Sequence, residues 1–253
     1  MRLLPFFCLV AILGFSTAPR AVAETPGGIP ENTAAIAGLE GEYLILVGGP
    51  ALRTLENLRV PEDRHDRWWA NFVSAANIRT RQFHSQGVPP SSITWLVFRP
   101  GYERRAIEEG NPLVRWIEEL AGRREANLIW FATQDEMIQH INHGNNRRRN
   151  RIVSFDFFGH SNKYCFLIEY GSEIIGASSV WLHENELRRL RRSAFHPRAF
   201  CKSWGCHTAE SMSRRWQQVL GMPLWGAYGK TTYVPTGQGR LPALGREATG
   251  WGM

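Results

Sequence analysis

Four apolar runs set the frame of this chain. EYLILVGG (residues 42–49), ITWLVF (93–98), RIVSFDFFGH (151–160) and AFCKSWGC (199–206) are nearly continuous in apolar residues and end in turn-forming or polar ones. Such runs predict strands covered on both faces, as in a parallel sheet. Between them the period changes to that of a helix. After Pro61, the residues Trp69, Phe72, Val73 and Ala76 form one apolar stripe, and Gly87 supplies a stop. Asn111 and Pro112 suit the N-cap and first turn of a helix with Leu113, Trp116, Ile117 and Leu120 on one face. Pro100-Gly101 predicts the close of the second strand.

NLIWFA (127–132) predicts a short strand. TQDEMIQHINHG (133–144) opens with Thr133 and Glu136 in the spacing of a capping box and stops at Gly144. YCFLIEYG (164–171) is extended, and SSVWLHENELRRLRRS (178–193) passes from a strand end into a helix. HTAESMSRRWQQVLG (207–221) predicts a helix capped by Thr208, and MPLWGAYG with TTYVP a late strand pair. From Thr236 the Gly-rich tail carries no readable period. Strands alternating with helices predict an α/β fold, a three-layer α/β/α sandwich with a mainly parallel sheet.

Residues 1–23 are read apart from the fold. Arg2, the apolar stretch Leu3 to Phe15 and the small-residue site Ala21-Val22-Ala23 have the layout of a signal peptide, so the mature chain is expected to begin at Glu24 and to be exported. No stretch offers the ~20 consecutive apolar residues of a membrane span. Residues 24–40 read as a flexible leader and 41–253 as one domain. About 230 residues remain after cleavage, enough for a full core. Loss of Arg2 and Arg20 lowers the formal charge from +7 to +5. The basic clusters at 147–151 and 188–192 lack the interleaved aromatics of a nucleic-acid groove. They are read as solvated faces, and no nucleic-acid partner is expected.

Chemistry collects at two strand ends, where sites of parallel α/β sheets form. GHSN (159–162) offers His160 as a base or Ser161 as a nucleophile. A serine elbow needs flanking small residues and an immediate helix. Lys163 and the extended run after it argue against Ser161. Cys206 ends the fourth run, where a following helix N-terminus would favour a thiolate. Thiol and imidazole at adjacent strand ends are the minimum for nucleophilic acyl transfer. Cys165, Cys201 and Cys206 survive maturation, and a Cys165–Cys201 pairing would leave Cys206 free. Asp156 shares strand parity with His160 and is a candidate partner behind it. His207 is a weaker rival base, while His140, His143 and His183 read as surface or helix-end residues. No closed metal site and no phosphate loop are legible, so neither metal nor cofactor is expected.

SFDFFGHSN followed by SWGCHTAE resembles the His/Cys dyad of the caspase–legumain–gingipain clan of cysteine peptidases, with a motif similar to bacterial caspase-like, CHAT-type members. The resemblance covers the order of elements from Tyr43 to about Tyr233, including WLHENEL before the Cys run. It implies a caspase-like fold, Cys206 as nucleophile, His160 as acid/base, and an oxyanion hole from the backbone amides of Ser161 and Cys206. It also implies a peptide or protein substrate cleaved through an acyl-enzyme. The chain departs from the clan in Ser161, where Gly is usual, and in bulky Trp204 beside the Cys. A catalytically inactive caspase-like binding module and a Ser161 esterase are the alternatives.

Overall fold

The first apolar run forms β1 (Glu42–Val47) and lies near the middle of the sheet, fully buried. It pairs in parallel with β2 (Ile93–Phe98) on one side and β4 (Ile152–Phe158) on the other. β3 (Asn127–Phe131) extends the sheet beyond β2. Next to β4 come β8 (Phe195–Ser203) and β9 (Leu224–Tyr228), both parallel, and then β12 (Gly250–Gly252), antiparallel to β9. The seven strands run in the order β12-β9-β8-β4-β1-β2-β3. Two small antiparallel sheets flank it. One joins β5 (His160–Ser161), β6 (Cys165–Leu167) and β7 (Trp181–His183); the other joins β10 (Thr231–Thr232) and β11 (Ala243–Leu244). This computed structural model describes residues 36, 38–57, 67–170 and 179–253. The expected signal peptide and most of the leader lie outside the described residues.

A one-turn helix, α1 (Arg53–Glu56), follows β1, and alternate residues of β1 enter two cores. Tyr43, Ile45 and Val47 join Phe72, Val73, Ala76 and Phe83 of α2 (Asn71–Ser85) and Ile117 and Ala121 of α4 (Leu113–Arg123). Leu44 and Leu46 face the other way, with Met137, Ile138 and Ile141 of α5 (Gln134–His143) and Met212, Trp216 and Leu220 of α6 (Met212–Leu220). Each of the buried Val, Leu, Ile, Met and Phe side chains contributes about 1.5–3 kcal/mol by leaving water. The chain is thus α/β with a mostly parallel sheet between helices, an arrangement compatible with three layers. Among the described residues no helix is long and apolar enough to cross a membrane.

Several boundaries differ from the sequence expectations. β2 closes at Phe98 as expected, but Pro100 and Gly101 open no loop: they lie in the first turn of α3 (Arg99–Glu109), which follows β2 directly. Proline suits that turn because its missing N–H is one the helix leaves unpaired anyway. Pro112, not Asn111, caps α4, and Trp116 faces outward while Ala121 is buried. The segment after β7 is a 3-10 helix, Glu184–Arg189, capped by His183. The Gly-rich tail holds β11 and β12. The capping box is as read: Thr133 Oγ1 accepts from the Glu136 amide at 3.2 Å, and Glu136 reaches back to the Thr133 amide at 3.3 Å.

At the other end of β1 the sheet buries a charged cluster. Glu42 is held by Arg147 and Asn145, accepts from Thr94 Oγ1 at 2.6 Å, and has His140 Nε2 at 3.8 Å. Burial alone would raise its carboxyl, but His140, Arg147 and Thr94 outweigh that and hold it below the usual range. Arg147 is therefore a buried ion-pair partner and no part of a solvated basic face, and His140 is its neighbour in the same cluster.

Candidate active site

Parallel register brings His160 and Cys206 together. Phe157 of β4 stands opposite Ser203 of β8, and the Trp204 amide donates to Phe157 O at 2.9 Å. His160 and Cys206 each follow that matched pair by three residues. Adjacent strands run ~4.8 Å apart, so the two residues leave the same edge of the sheet side by side. Their loops touch. Ser161 Oγ donates to Cys206 O at 2.7 Å. Gly205 makes the approach possible: a Cβ there would run into the Ser161 side chain and come within 3.1 Å of Gly159 O.

The His160 ring is held by aromatic neighbours. It stacks on Tyr170 with centroids 4.4 Å apart and meets Phe72 edge-on at 5.1 Å. Phe72 also packs edge-on against Tyr233, at 4.8 Å. Tyr233 ties the two strand ends together, because its hydroxyl accepts from the Gly159 amide at 3.2 Å and donates to Trp204 O at 3.3 Å.

Around the sulfur the partner is Thr231. Its amide donates to Cys206 Sγ at 3.4 Å, and its Oγ1 lies 3.6 Å from Sγ. Thr231 Oγ1 also donates to Trp204 O at 2.9 Å. Among the described residues Cys206 Sγ makes its hydrogen-bonding contacts with Thr231, not with His160. Catalytic hydrogen bonds are often long at rest and tighten when substrate binds.

Cysteine environment separates the three thiols. All are free, so no Cys165–Cys201 bridge forms; they sit on different sheets. Burial, with Glu186 and Glu184 adding to it, pushes the Cys165 thiol up to about 11. Burial also raises Cys201, which is fully enclosed, and the Asp156 charge adds to the rise. Neither is poised to ionise near neutral pH, because the charged form is the one a buried site disfavours. Cys206 is half-buried at the sheet edge.

The turn after Cys206 differs from expectation. His207 adopts a left-handed conformation, φ 61°, and a short 3-10 turn, Thr208–Glu210, follows before α6 begins at Met212. Thr208 therefore caps no helix, its hydroxyl is buried without a hydrogen bond, and no helix N-terminus stands at the sulfur. The turn packs down on β9, where a Cβ at Gly226 would meet Thr208 Oγ1 and the Ala209 amide. His207 Nδ1 pairs with Glu210 Oε1 at 2.6 Å, and the Gly229 amide donates to the same oxygen at 3.1 Å. Slight burial works against ionised Glu210, but these partners outweigh it and hold the carboxyl below its usual range. The His207 ring is engaged with this carboxylate.

Asp156 does not stand behind His160. It is buried in mid-strand, accepting from Arg79 Nε at 3.0 Å, Trp204 Nε1 at 2.9 Å and Ser154 Oγ at 3.3 Å. It shares parity with His160 but lies four residues before it, two short of the end of β4 at Phe158. Trp204 in turn points into the α2 core, stacked on Phe158 at 5.7 Å, and not into the space beside Cys206. Thr231, Tyr233, Tyr170 and Phe72 were not legible as site residues, because their roles come from non-local contacts. Phe72 was visible only as part of a helix stripe. No three His, Cys, Asp or Glu side chains among the described residues are grouped to hold a metal ion. Compared with known proteins, the chain matches no family model, no curated protein and no solved structure.

Proposed function

We propose that the chain is an exported, caspase-like cysteine peptidase that acts through Cys206 and His160. The observation that carries the reading is the matched position of the two residues, three beyond the register pair Phe157 and Ser203 on adjacent parallel strands. His160 takes the thiol proton of Cys206, and the Sγ thiolate attacks the carbonyl carbon of a peptide bond. The oxyanion is received by the backbone amides of Ser161 and Cys206. His160 delivers that proton to the leaving amine as the C–N bond breaks, leaving a thioester; His160 then takes a proton from the water that attacks the thioester and returns it to the departing sulfur, restoring the thiol.

Three features support this over the alternatives. Cys206 is the thiol three residues beyond the register pair, whereas burial with Glu186 and Glu184 raises Cys165 and full burial raises Cys201. The His160 ring is fixed by Tyr170 and Phe72. Ser161 spends its hydroxyl proton on Cys206 O and is followed by strand β6, which suits a loop tie better than a nucleophile.

The test is incubation with a peptide library under reducing conditions. Cleavage by the wild type and its loss in Cys206→Ala and His160→Ala are expected. Cleavage that survives Cys206→Ala but not Ser161→Ala would move the chemistry to the serine. No cleavage, together with a Cys206 thiol that labels no faster than free cysteine, would leave a binding module.

A further inference from the structure

The small sheet β5–β6–β7 carries His160 at one corner and turns one of its faces outward. Directly paired residues of an antiparallel sheet share a face. The register therefore sets Ser161, Phe166 and Leu182 in one row and His160, Leu167 and Trp181 in the next. Neighbouring rows point to opposite sides of the sheet. Phe166 and Leu182 are fully buried in the core shared with α5 and α6. Leu167 is half-buried and Trp181 is 41% exposed, so the row that starts at His160 is the outer one. Cys165 and His183 pair two residues along on the same face. None of these five side chains is an Asp, Glu, Lys or Arg.

The row leads away from the sulfur. β4 is flanked by β8, which leads to Cys206, on one side and by β1 on the other. β6 lies towards β1, since the Gly49 amide just past that strand donates to Ile168 O at 2.8 Å. Trp181 stands further out, its carbonyl accepting from Gln134 at the start of α5. The order across the edge is thus sulfur, imidazole, Leu167, Trp181. In the acyl transfer described above, the imidazole protonates the leaving amine and so marks the C-terminal side of the cleaved bond. A lone exposed tryptophan needs no explanation. One in line with the proton donor, on the leaving side, is a surface for the departing half of a substrate.

Spacing gives the position that this surface reads. Two strand separations of ~4.8 Å place Trp181 roughly 10 Å from His160. An extended peptide advances ~3.3 Å per residue. The second or third residue after the cleaved bond is the one that reaches the indole.

We propose that Leu167 and Trp181 form a substrate subsite for an aromatic residue on the C-terminal side of the cleaved bond; this rests on the peptidase reading and adds a specificity to it. The substrate ring packs on the indole, and Leu167 lies beneath the chain between that ring and His160. Aromatic pairs gain beyond their buried area, and the uncharged row offers nothing to an acidic or basic side chain.

The test digests a pool of random decapeptides with the whole chain under reducing conditions and maps the cuts by mass spectrometry. Trp, Phe and Tyr are expected to be enriched at the second or third residue after the cut, about fivefold over Ala in kcat/KM. Trp181→Ala removes this enrichment, mainly through a higher KM for the aromatic peptides, and Trp181→Phe keeps most of it. Thermal unfolding of both variants stays at the wild-type value, which separates the effect from misfolding. Cleavage with no aromatic preference at those two positions, or a preference that Trp181→Ala leaves intact, overturns the subsite and leaves the peptidase reading in place. No cleavage by the wild type overturns the peptidase reading, and the subsite with it.

Discussion

Thr231 meets Cys206 through two atoms: its amide donates to the sulfur at 3.4 Å, while its hydroxyl oxygen lies 3.6 Å away with its proton directed at Trp204 O. A hydroxyl has one proton, so at rest Thr231 Oγ1 offers the sulfur a lone pair and suits a protonated thiol. Trp204 O has a second donor in the Tyr233 hydroxyl at 3.3 Å. If Cys206 loses its proton, Thr231 Oγ1–H can therefore turn to the thiolate without stranding that carbonyl.

Thr231→Val tests this switch, because it keeps the amide and the shape but removes the hydroxyl. Hydrogen bonds to charged groups exceed neutral ones by about 1–1.5 kcal/mol, so alkylation of Cys206 by iodoacetamide at neutral pH should slow roughly tenfold. Thr231→Ser should restore the wild-type rate. An unchanged rate in the valine variant would assign the hydroxyl to Trp204 alone.

His160→Ala and His160→Gln should each lower peptide turnover by about 10²–10⁴-fold, the usual worth of a general acid/base. Their thermal unfolding should shift far less than turnover, since the ring is half-exposed at the sheet edge. Turnover within tenfold of wild type would remove His160 from the chemistry.

Gly205→Ala should destabilise the chain by about 1–3 kcal/mol, because its methyl group meets the Ser161 side chain and Gly159 O. Combining it with Ser161→Gly removes half of the collision and should recover part of the loss. Ser161→Ala alone should cost about 1 kcal/mol, for the lost bond to Cys206 O, while leaving turnover within a few-fold. Denaturant midpoints and peptide assays on the same samples check all three.

Glu42→Gln should be strongly destabilising, by about 3–5 kcal/mol, since it leaves Arg147 buried without its counter-charge. In the wild type the folded carboxyl titrates below its ordinary value of 4.5. The unfolded chain therefore takes up the proton first as pH falls. The stabilisation from this cluster is present above about pH 4.5 and is lost as pH drops through the lower folded value. Urea midpoints from neutral pH to about pH 3 should fall more steeply for the wild type than for the glutamine variant. Parallel curves would show that other carboxylates govern acid unfolding.

The parts of the fold legible in the sequence are those whose cause is local or one-dimensional. β1, β2 and β4 were visible because strands covered on both faces must be apolar at nearly every position. The capping box at Thr133 and Glu136 was visible because both partners lie within one turn. α3 was hidden, since Pro100 and Gly101 break most segments and only their place in a first turn makes them compatible with a helix. β12 was hidden because three residues carry no period, and pairing with β9 alone makes them a strand.

By itself, then, the sequence determined an α/β chain of buried strands and amphipathic helices, with a histidine and a cysteine closing two of the apolar runs. Tertiary structure decided the rest. Register between β4 and β8 set His160 and Cys206 at equal height, and the fold delivered Thr231 and Tyr233 from 25 or more residues downstream to the sulfur and the strand ends. The same packing turned Asp156 away to Arg79 and Trp204 and left Cys206 without the helix cap that Thr208 suggested. Periodicity records which face of an element is buried. It does not record which residues of distant elements stand opposite one another, because strand register and loop packing are settled only when the whole core closes.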